Sequence, residues 1–292
     1  MIGAPRSVSV TSSGCRSLDA RIGHNLTALV GFVFVVAVIQ RYVAQRNALA
    51  REVRNQRDDL LHDVELAAQV QRMFLPGSQP SIPGLDVAGM MQPARVVGGD
   101  FYGYIPVDAH RIQVVVADVS GKGVSAALLM SATRGMLRSL AQTCSGPGEV
   151  LTRLNRLLVE DFPSGKFVTM LLAVLNPTAR ELTFSSAGHL RPLLVDEQGA
   201  RFLDSERGMP LGLGTGEFSE SRVQLSKGSR LVFYSDGITE ATGLSDEEYG
   251  AERMRDHVVQ PAASAESILA DVRVFANGQG LQDDATVIFV RA

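Results

Sequence analysis

The spacing of apolar residues changes abruptly along the chain, and each change predicts a different kind of element. Residues 1–24 are rich in Ser, Thr, Gly and Arg without apolar periodicity, which predicts a disordered N-terminal tail. The pattern then becomes continuous: Leu26 to Ile39 carries no charge and is mostly Val, Phe, Leu and Ala. Extended by Asn25, Gln40, Tyr42 and Val43, with Arg41 snorkelling to headgroups, residues 25–43 approach the ~20 residues that a membrane span needs. A signal-peptide core and a buried helix are the competing readings. No small-residue cleavage site follows and Arg-rich helix formers come next, which favours a single anchor. Arg41, Arg46, Arg51, Arg54 and Arg57 follow the run, against Arg6, Arg16 and Arg21 before it. That asymmetry predicts a single pass through the cell membrane with the C-terminal part cytoplasmic.

From Ala44 to Phe74 neither Gly nor Pro occurs, and Val53, Leu60, Val64, Ala67, Val70 and Phe74 recur at near-heptad spacing, interrupted by Arg57 and Gln71. A helical linker over 44–76 is predicted, either forming a homodimer through 44–74 as a short coiled coil or packing its last turns on the domain that follows. Pro76-Gly77 ends it, and residues 77–292 form the main domain. Within it, apolar and β-branched runs predict strands at 111–117, 167–175, 182–186, 192–195, 230–234 and 285–290. Amphipathic helices are predicted at 124–140, 148–160 and 265–276. Three of the strands follow one another with no helix between them. That order favours an α+β fold with antiparallel sheets over a doubly wound parallel sheet.

Composition narrows the function classes. Apolar residues make up 45% and charged ones 20%, ordinary globular usage, and the net charge of −3 argues against a nucleic-acid partner. Cys15 and Cys144 are far apart and build neither a disulfide framework nor a zinc site. The histidines, at 24, 62, 110, 189 and 257, lack the spacing of a zinc protease.

The informative residues are aspartates at the ends of apolar runs. Asp100 lies in Gly98-Gly-Asp-Phe-Tyr-Gly103; Asp118 ends Val114-Val-Val-Ala-Asp and opens Ser120-Gly-Lys-Gly123; Asp236 ends Leu231-Val-Phe-Tyr-Ser-Asp and precedes Gly237; Asp283 and Asp284 precede Ala285-Thr-Val-Ile-Phe-Val290. A carboxylate on a strand tip is held rigidly, and an adjacent Gly lets backbone approach a ligand closely. Converging carboxylates repel one another, and hard divalent cations with oxygen-only ligand sets relieve that repulsion. Asp236-Gly237 taken alone is a turn former. The Asp118 loop lacks the spacing of a nucleotide-binding P-loop.

Gly98-Gly-Asp-Phe-Tyr, Asp118-Val-Ser-Gly-Lys-Gly, Ser186-Ala-Gly-His189, Tyr234-Ser-Asp-Gly-Ile and Asp283-Asp-Ala-Thr-Val-Ile, in this order, resemble the SpoIIE/RsbU-type branch of the metal-dependent (PPM, protein phosphatase 2C-like) phosphatases. Gln69-Val-Gln-Arg-Met-Phe-Leu-Pro76 resembles the helix that leads into such domains. The resemblance covers about residues 65–291. It implies a four-layer α-β-β-α sandwich of two mainly antiparallel sheets and a centre of two Mn²⁺ or Mg²⁺ ions. By motif matching, Asp118 and the Val119 carbonyl are metal ligands, Asp236 and Asp283 each hold one metal, and Asp100 ligates or orients a metal-bound water. Asp284, Gly121, Lys122 and Arg95 are candidate supporting or phosphate-binding residues, and His189 is expected to be structural. The implied reaction is hydrolysis of phosphoserine or phosphothreonine by a two-metal-activated water. The implied substrate is an anti-sigma-factor antagonist or a similar signalling protein. Gly103 stands where members often carry Asp, which puts a further metal site in doubt.

Gly98-Gly-Asp-Phe also approaches the signature of a diguanylate cyclase but is one acidic residue short. The alternative from a different class is a catalytically inactive, partner-binding scaffold at the membrane. The intact Asp100, Asp118, Asp236 and Asp283 argue against it.

Overall fold

In a computed structural model, the backbone of residues 13–206 and 208–292 and the side chains from residue 29 onward are described. The chain divides into two units, Met1–His62 and Asp63–Ala292. The first is helical from Ser13, part of a helix α1 (Ser13–Phe74). Residues 1–12 of the expected tail lie outside the described residues. Its remainder is drawn into the helix, since Gly14 and Gly23 are separated by good helix formers and no Pro interrupts them. Leu29, Val30, Phe32, Val33, Phe34 and Val35 are all more than half exposed, and this helix is long and apolar enough to cross a membrane.

The second unit begins ahead of the linker's expected end, because the last turns of α1 pack within it. Ala68 is buried with Val97 and Ala127, and Val64 and Ala67 lie against them. Gln71, which interrupts the apolar seam, is buried too: its Nε2 donates to the Gly98 carbonyl (2.7 Å), and its Oε1 accepts from Gly98 N (3.2 Å).

Among the described residues ten strands follow, named with the helices in chain order: β1 (Asp86–Gln92), β2 (Phe101–Pro106), β3 (Ile112–Val119), α2 (Val124–Leu140), α3 (Pro147–Asp161), β4 (Val168–Asn176), β5 (Glu181–Ala187), β6 (Leu193–Asp196), β7 (Gly199–Phe202), β8 (Ser221–Gln224), β9 (Arg230–Tyr234), α4 (Asp236–Thr239), α5 (Gly250–Val259), α6 (Ala265–Phe275) and β10 (Ala285–Arg291). They form two five-stranded sheets, β1-β10-β9-β6-β7 and β2-β3-β4-β5-β8, with antiparallel neighbours throughout.

Side chains alternate across each strand, so a strand covered on both faces must be apolar at every position. β4 shows this. Leu171, Ala173 and Leu175 join the layer between the sheets, with Phe233 and Ile288 of the other sheet, while Val168, Met170 and Leu172 face Met130 of α2 and Leu151 and Leu154 of α3. On the far side Val232, Val287 and Phe289 pack under Met254 of α5 and Ile268 and Leu269 of α6. Three apolar layers therefore hold four structural ones, the α-β-β-α sandwich that the family resemblance implies. α6 starts on a capping box between Ser264 and Ser267, an N-terminal device worth about 1 kcal/mol.

Candidate metal centre

β2, β3, β9 and β10 all bring an aspartate to the same end of the paired sheets. Asp118 is on β3 and Asp100 immediately precedes β2, paired with β3 from Phe101↔Ala117 onward. Asp236 opens α4 just after β9, and Asp283 and Asp284 precede β10, which pairs with β9. Their electrostatics show that they converge. Burial, then the Asp118 charge, pushes the Asp100 carboxyl well above its usual range, against hydrogen bonds from Ser235 and Thr286. Burial, then Asp283, raises Asp236. Asp118 is pushed up to about 7 by burial and by the charges of Asp236, Asp283 and Asp284, with a hydrogen bond to Asp100 working the other way.

The cluster is acidic, oxygen-only and short of neutralising charge. Lys122 is the cation inside it: its Nζ lies 2.7 Å from Asp283 Oδ2 and donates to the Gln282 carbonyl (2.9 Å). Arg95 lines the same cleft, with Gly121, Lys122 and Gly123 on one wall and Gln282–Asp284 on another. Among the described residues no three acidic, histidine or cysteine side chains already form a closed metal cage. The donor chemistry nonetheless suits a hard divalent cation, and space is kept for backbone donors. A Cβ at Gly99 would stand 2.6 Å from the Val119 carbonyl oxygen and 3.3 Å from Asp118 Oδ1.

Asp284 acts as a clasp. Its Oδ1 accepts from Ala94 N (2.9 Å) and its Oδ2 from Asp100 N (3.5 Å), which ties the 94–100 loop to the start of β10. His189 braces the two sheets. Its Nε2–H donates to the Tyr234 carbonyl (3.1 Å), an acceptor only, so Nδ1 accepts from the Thr169 hydroxyl (2.9 Å). Burial depresses its pKa to about 4, against the pull of the Tyr234 carbonyl, so the ring is neutral and suited to bracing rather than proton donation. Gly103 pairs with Val115 inside β2, and a Cβ there would meet Val115 Cγ1 at 3.2 Å. Position 103 shares the helix-covered face with Phe101 and Ile105, so a side chain there would not point at the carboxylates.

Sequence reasoning missed four contributors. Thr286 donates to Asp100 Oδ2 (2.6 Å), and Ser235 Oγ links the Asp284 carbonyl to Thr286 N. Gln71 grips Gly98, and Glu240 is raised by burial and then by Asp236. Buried Ser235 and Thr286 are polar positions inside otherwise apolar strand runs, a signal that was available.

The raised carboxyls carry a pH consequence. A folded-state pKa near 7 against an ordinary ~4 means that the folded chain holds more protons between about pH 4 and 7. Stability without divalent cations therefore falls as pH rises through that window. His189 works oppositely, its contribution being lost as pH falls from about 6.5 toward 4. In thermal unfolding with EDTA, Asp118→Asn is expected to remove part of the decline between about pH 5 and 7. Parallel pH profiles for wild type and variant would refute the raised Asp118 carboxyl.

The paired sheets and the aspartates at their shared end place the chain among protein phosphatase 2C-like enzymes; it is a phosphoprotein phosphatase. Residues 108–292 match the family model described as Stage II sporulation protein E (SpoIIE), and the chain belongs to that family. It is 30% identical over 244 residues to the phosphoserine phosphatase RsbU of Bacillus subtilis, covering 82% of this chain and 72% of that one. Two further curated relatives are longer, and the chain spans 43% and 57% of their lengths. Among solved structures, the SiaA-PP2C domain of Pseudomonas aeruginosa superposes with a TM-score of 0.72 at 22% identity, over 81% of this chain and 98% of that one. RsbX, solved in complex with magnesium, superposes with a TM-score of 0.57 at 17% identity, over 73% of this chain and 97% of that one.

Proposed function

We propose that this phosphatase hydrolyses phosphoserine or phosphothreonine on a signalling protein, an anti-sigma-factor antagonist or one like it, at a centre for two Mn²⁺ or Mg²⁺ ions. The observation that carries the reading is the convergence of Asp118, Asp236 and Asp283, where burial, and then repulsion between them, raises Asp118 and Asp236. RsbU supports it, being named a phosphoserine phosphatase. Asp118, the Val119 carbonyl, Asp236 and Asp283 would hold the cations, with Asp100 beside them. Bound divalent cations would supply an activated water and neutralise charge on the phosphoryl oxygens.

The chain's own residues set the stage. Thr286 fixes one oxygen of Asp100, whose carboxyl lies close enough to Asp118 for each to shift the other. Asp284 holds the 94–100 loop closed. Lys122 neutralises Asp283 in the cation-free chain, and from the cleft it shares with Arg95 it would be placed to meet a substrate phosphate. The apolar run in α1 serves as a single-pass anchor of the cell membrane with the phosphatase domain cytoplasmic. Its continuation over 44–74 serves as a dimerising linker. The Gln71–Gly98 hydrogen bonds support coupling from that helix to the loop carrying Asp100.

The test is phosphate release from a phosphoserine protein by the full chain in detergent, with Mn²⁺ and then with EDTA. Chelation is expected to lower the rate by at least about 100-fold. Turnover that survives EDTA would overturn the metal reading. A folded chain with neither turnover nor Mn²⁺ binding would establish a scaffold instead.

A further inference from the structure

The pairing of β3 with β4 ends irregularly, and the irregularity falls beside the metal centre. The ladder opposes Val119 to Val168, so the next opposed residues are Ser120 and Phe167. In a regular hydrogen-bonded antiparallel pair, each backbone N–H donates to the carbonyl of the residue opposite. Ser120 N does donate to the Phe167 carbonyl (2.9 Å), but Phe167 N donates to the Ser120 hydroxyl (2.9 Å) in place of the Ser120 carbonyl. That carbonyl instead accepts from Lys166 Nζ (3.3 Å). The chain then leaves the strand through Gly121, whose φ of 104° favours glycine. A Cβ there would lie 2.7 Å from the Lys166 ammonium nitrogen.

This pair decides where the Val119 carbonyl points. The Val119 carbonyl and the Ser120 N–H belong to one trans peptide plane and point in opposite directions. With the N–H directed at β4, the carbonyl faces the other way, toward Gly99, where a Cβ would stand 2.6 Å from its oxygen and 3.3 Å from Asp118 Oδ1. That oxygen is the backbone ligand of the proposed centre. The turn beyond cannot hold the plane by itself, because Gly121 and Gly123, both at positive φ, are the residue type with most freedom to lose. The opposing segment is firmer. Lys166 N donates to the Pro163 carbonyl (3.0 Å), and Val168 exchanges two backbone hydrogen bonds with Leu211 (3.0 and 2.8 Å).

We propose that Ser120 and Lys166 are positioning residues for the metal centre. The Ser120 hydroxyl takes the place of its own carbonyl in the ladder, and the Lys166 ammonium holds that carbonyl aside, so the Val119 carbonyl stays aimed at the divalent cation. The inference rests on the two-metal reading above, which leaves Ser120 of Asp118-Val-Ser-Gly-Lys-Gly without a task.

The test compares Ser120→Thr with Ser120→Val in the full chain in detergent, a pair of equal shape that differs by the hydroxyl. Calorimetric titration is expected to show Mn²⁺ binding at least about 10-fold weaker in Ser120→Val, as when the groups that orient a metal ligand are removed. At saturating Mn²⁺ the two are expected to share one KM for a phosphoserine protein. Lys166→Met removes a cation beside the centre, so charge alone would tighten Mn²⁺ binding. Binding weaker by at least about 3-fold is expected instead, because the Ser120 carbonyl is released. Equal Mn²⁺ affinity in Ser120→Thr and Ser120→Val would overturn the proposal. So would tighter or unchanged binding in Lys166→Met, which decides the matter if Ser120→Val does not fold. A raised KM with unchanged Mn²⁺ affinity in Lys166→Met would assign that ammonium to the substrate and overturn its part here. A wild-type chain that bound no Mn²⁺ would bring down the metal centre itself, whereas variants that bind as wild type does would bring down the positioning alone.

Discussion

Asp236→Asn is expected to lower phosphate release by about three orders of magnitude while the fold persists. Asp236 sits where β9 passes into α4, and the turn is held without its charge: Ser235 N donates to the Thr286 carbonyl (3.0 Å) and Ile238 N to the Ser235 carbonyl (3.2 Å). Asparagine is isosteric and keeps the geometry, but it removes the negative charge that a divalent cation needs. Because burial and Asp283 already disfavour the charged form of Asp236, its removal relieves repulsion. The cation-free Tm of the variant is therefore expected to match or exceed that of wild type. Mn²⁺ titration by calorimetry separates the roles. A rate loss with weakened Mn²⁺ binding fits a ligand, whereas a rate loss with unchanged binding would refute that assignment.

Much of this site was legible because its parts are local. Asp118 and Asp236 end apolar runs that can only be buried strands, and the motifs around them are contiguous in sequence. The runs at 111–117, 167–175, 182–186 and 285–290 became β3, β4, β5 and β10 with ends shifted by a residue or two. What escaped was of two kinds. Some elements carry weak local signals. β2 holds Gly103 and ends at Pro106; β8 is Ser-Arg-Val-Gln, an edge strand half exposed to water; and α5 carries Glu252, Arg253, Arg255 and Asp256, with Met254 and Val258 as its buried residues. The rest is long-range. The Thr286–Asp100 and Asp284–Ala94 bonds join residues more than 180 positions apart, and no spacing rule foretells them. Gln71 is the instructive case. As a polar break in a near-heptad seam it looked like a flaw in a coiled coil, yet it is where the helix meets the loop carrying Asp100. Which face of each strand meets which layer was also hidden, since strands covered on both sides have no polar face to read.

Gly237→Ala is expected to cost about 2–4 kcal/mol of stability and to lower activity at least about 100-fold. Gly237 is not in the left-handed region, and alanine is the better helix former, so propensity alone would favour the change. The objection is steric and comes from backbone. A Cβ at 237 would collide with the Asp284 carbonyl oxygen, 2.7 Å from its carbon and 3.0 Å from the Asp283 carbonyl oxygen. None of these atoms can rotate aside as a side chain would. The strain can be relieved only by moving α4 away from the start of β10, which separates Asp236 from Asp283. Gly98→Ala makes a different demand, because its Cβ would collide with the Asp284 carboxylate, which can swing away at the cost of its bond to Ala94 N. Gly216→Ala is the control: nothing lies within 4 Å of its Cβ position, and a change within about 0.5 kcal/mol is expected. Chemical denaturation and Mn²⁺ titration on the three variants test the geometry without any assumption about substrate. If Gly237→Ala retained wild-type stability and Mn²⁺ affinity, α4 and the start of β10 could not be as closely apposed as the two-sheet centre requires, and the joint assignment of Asp236 and Asp283 would fall with it.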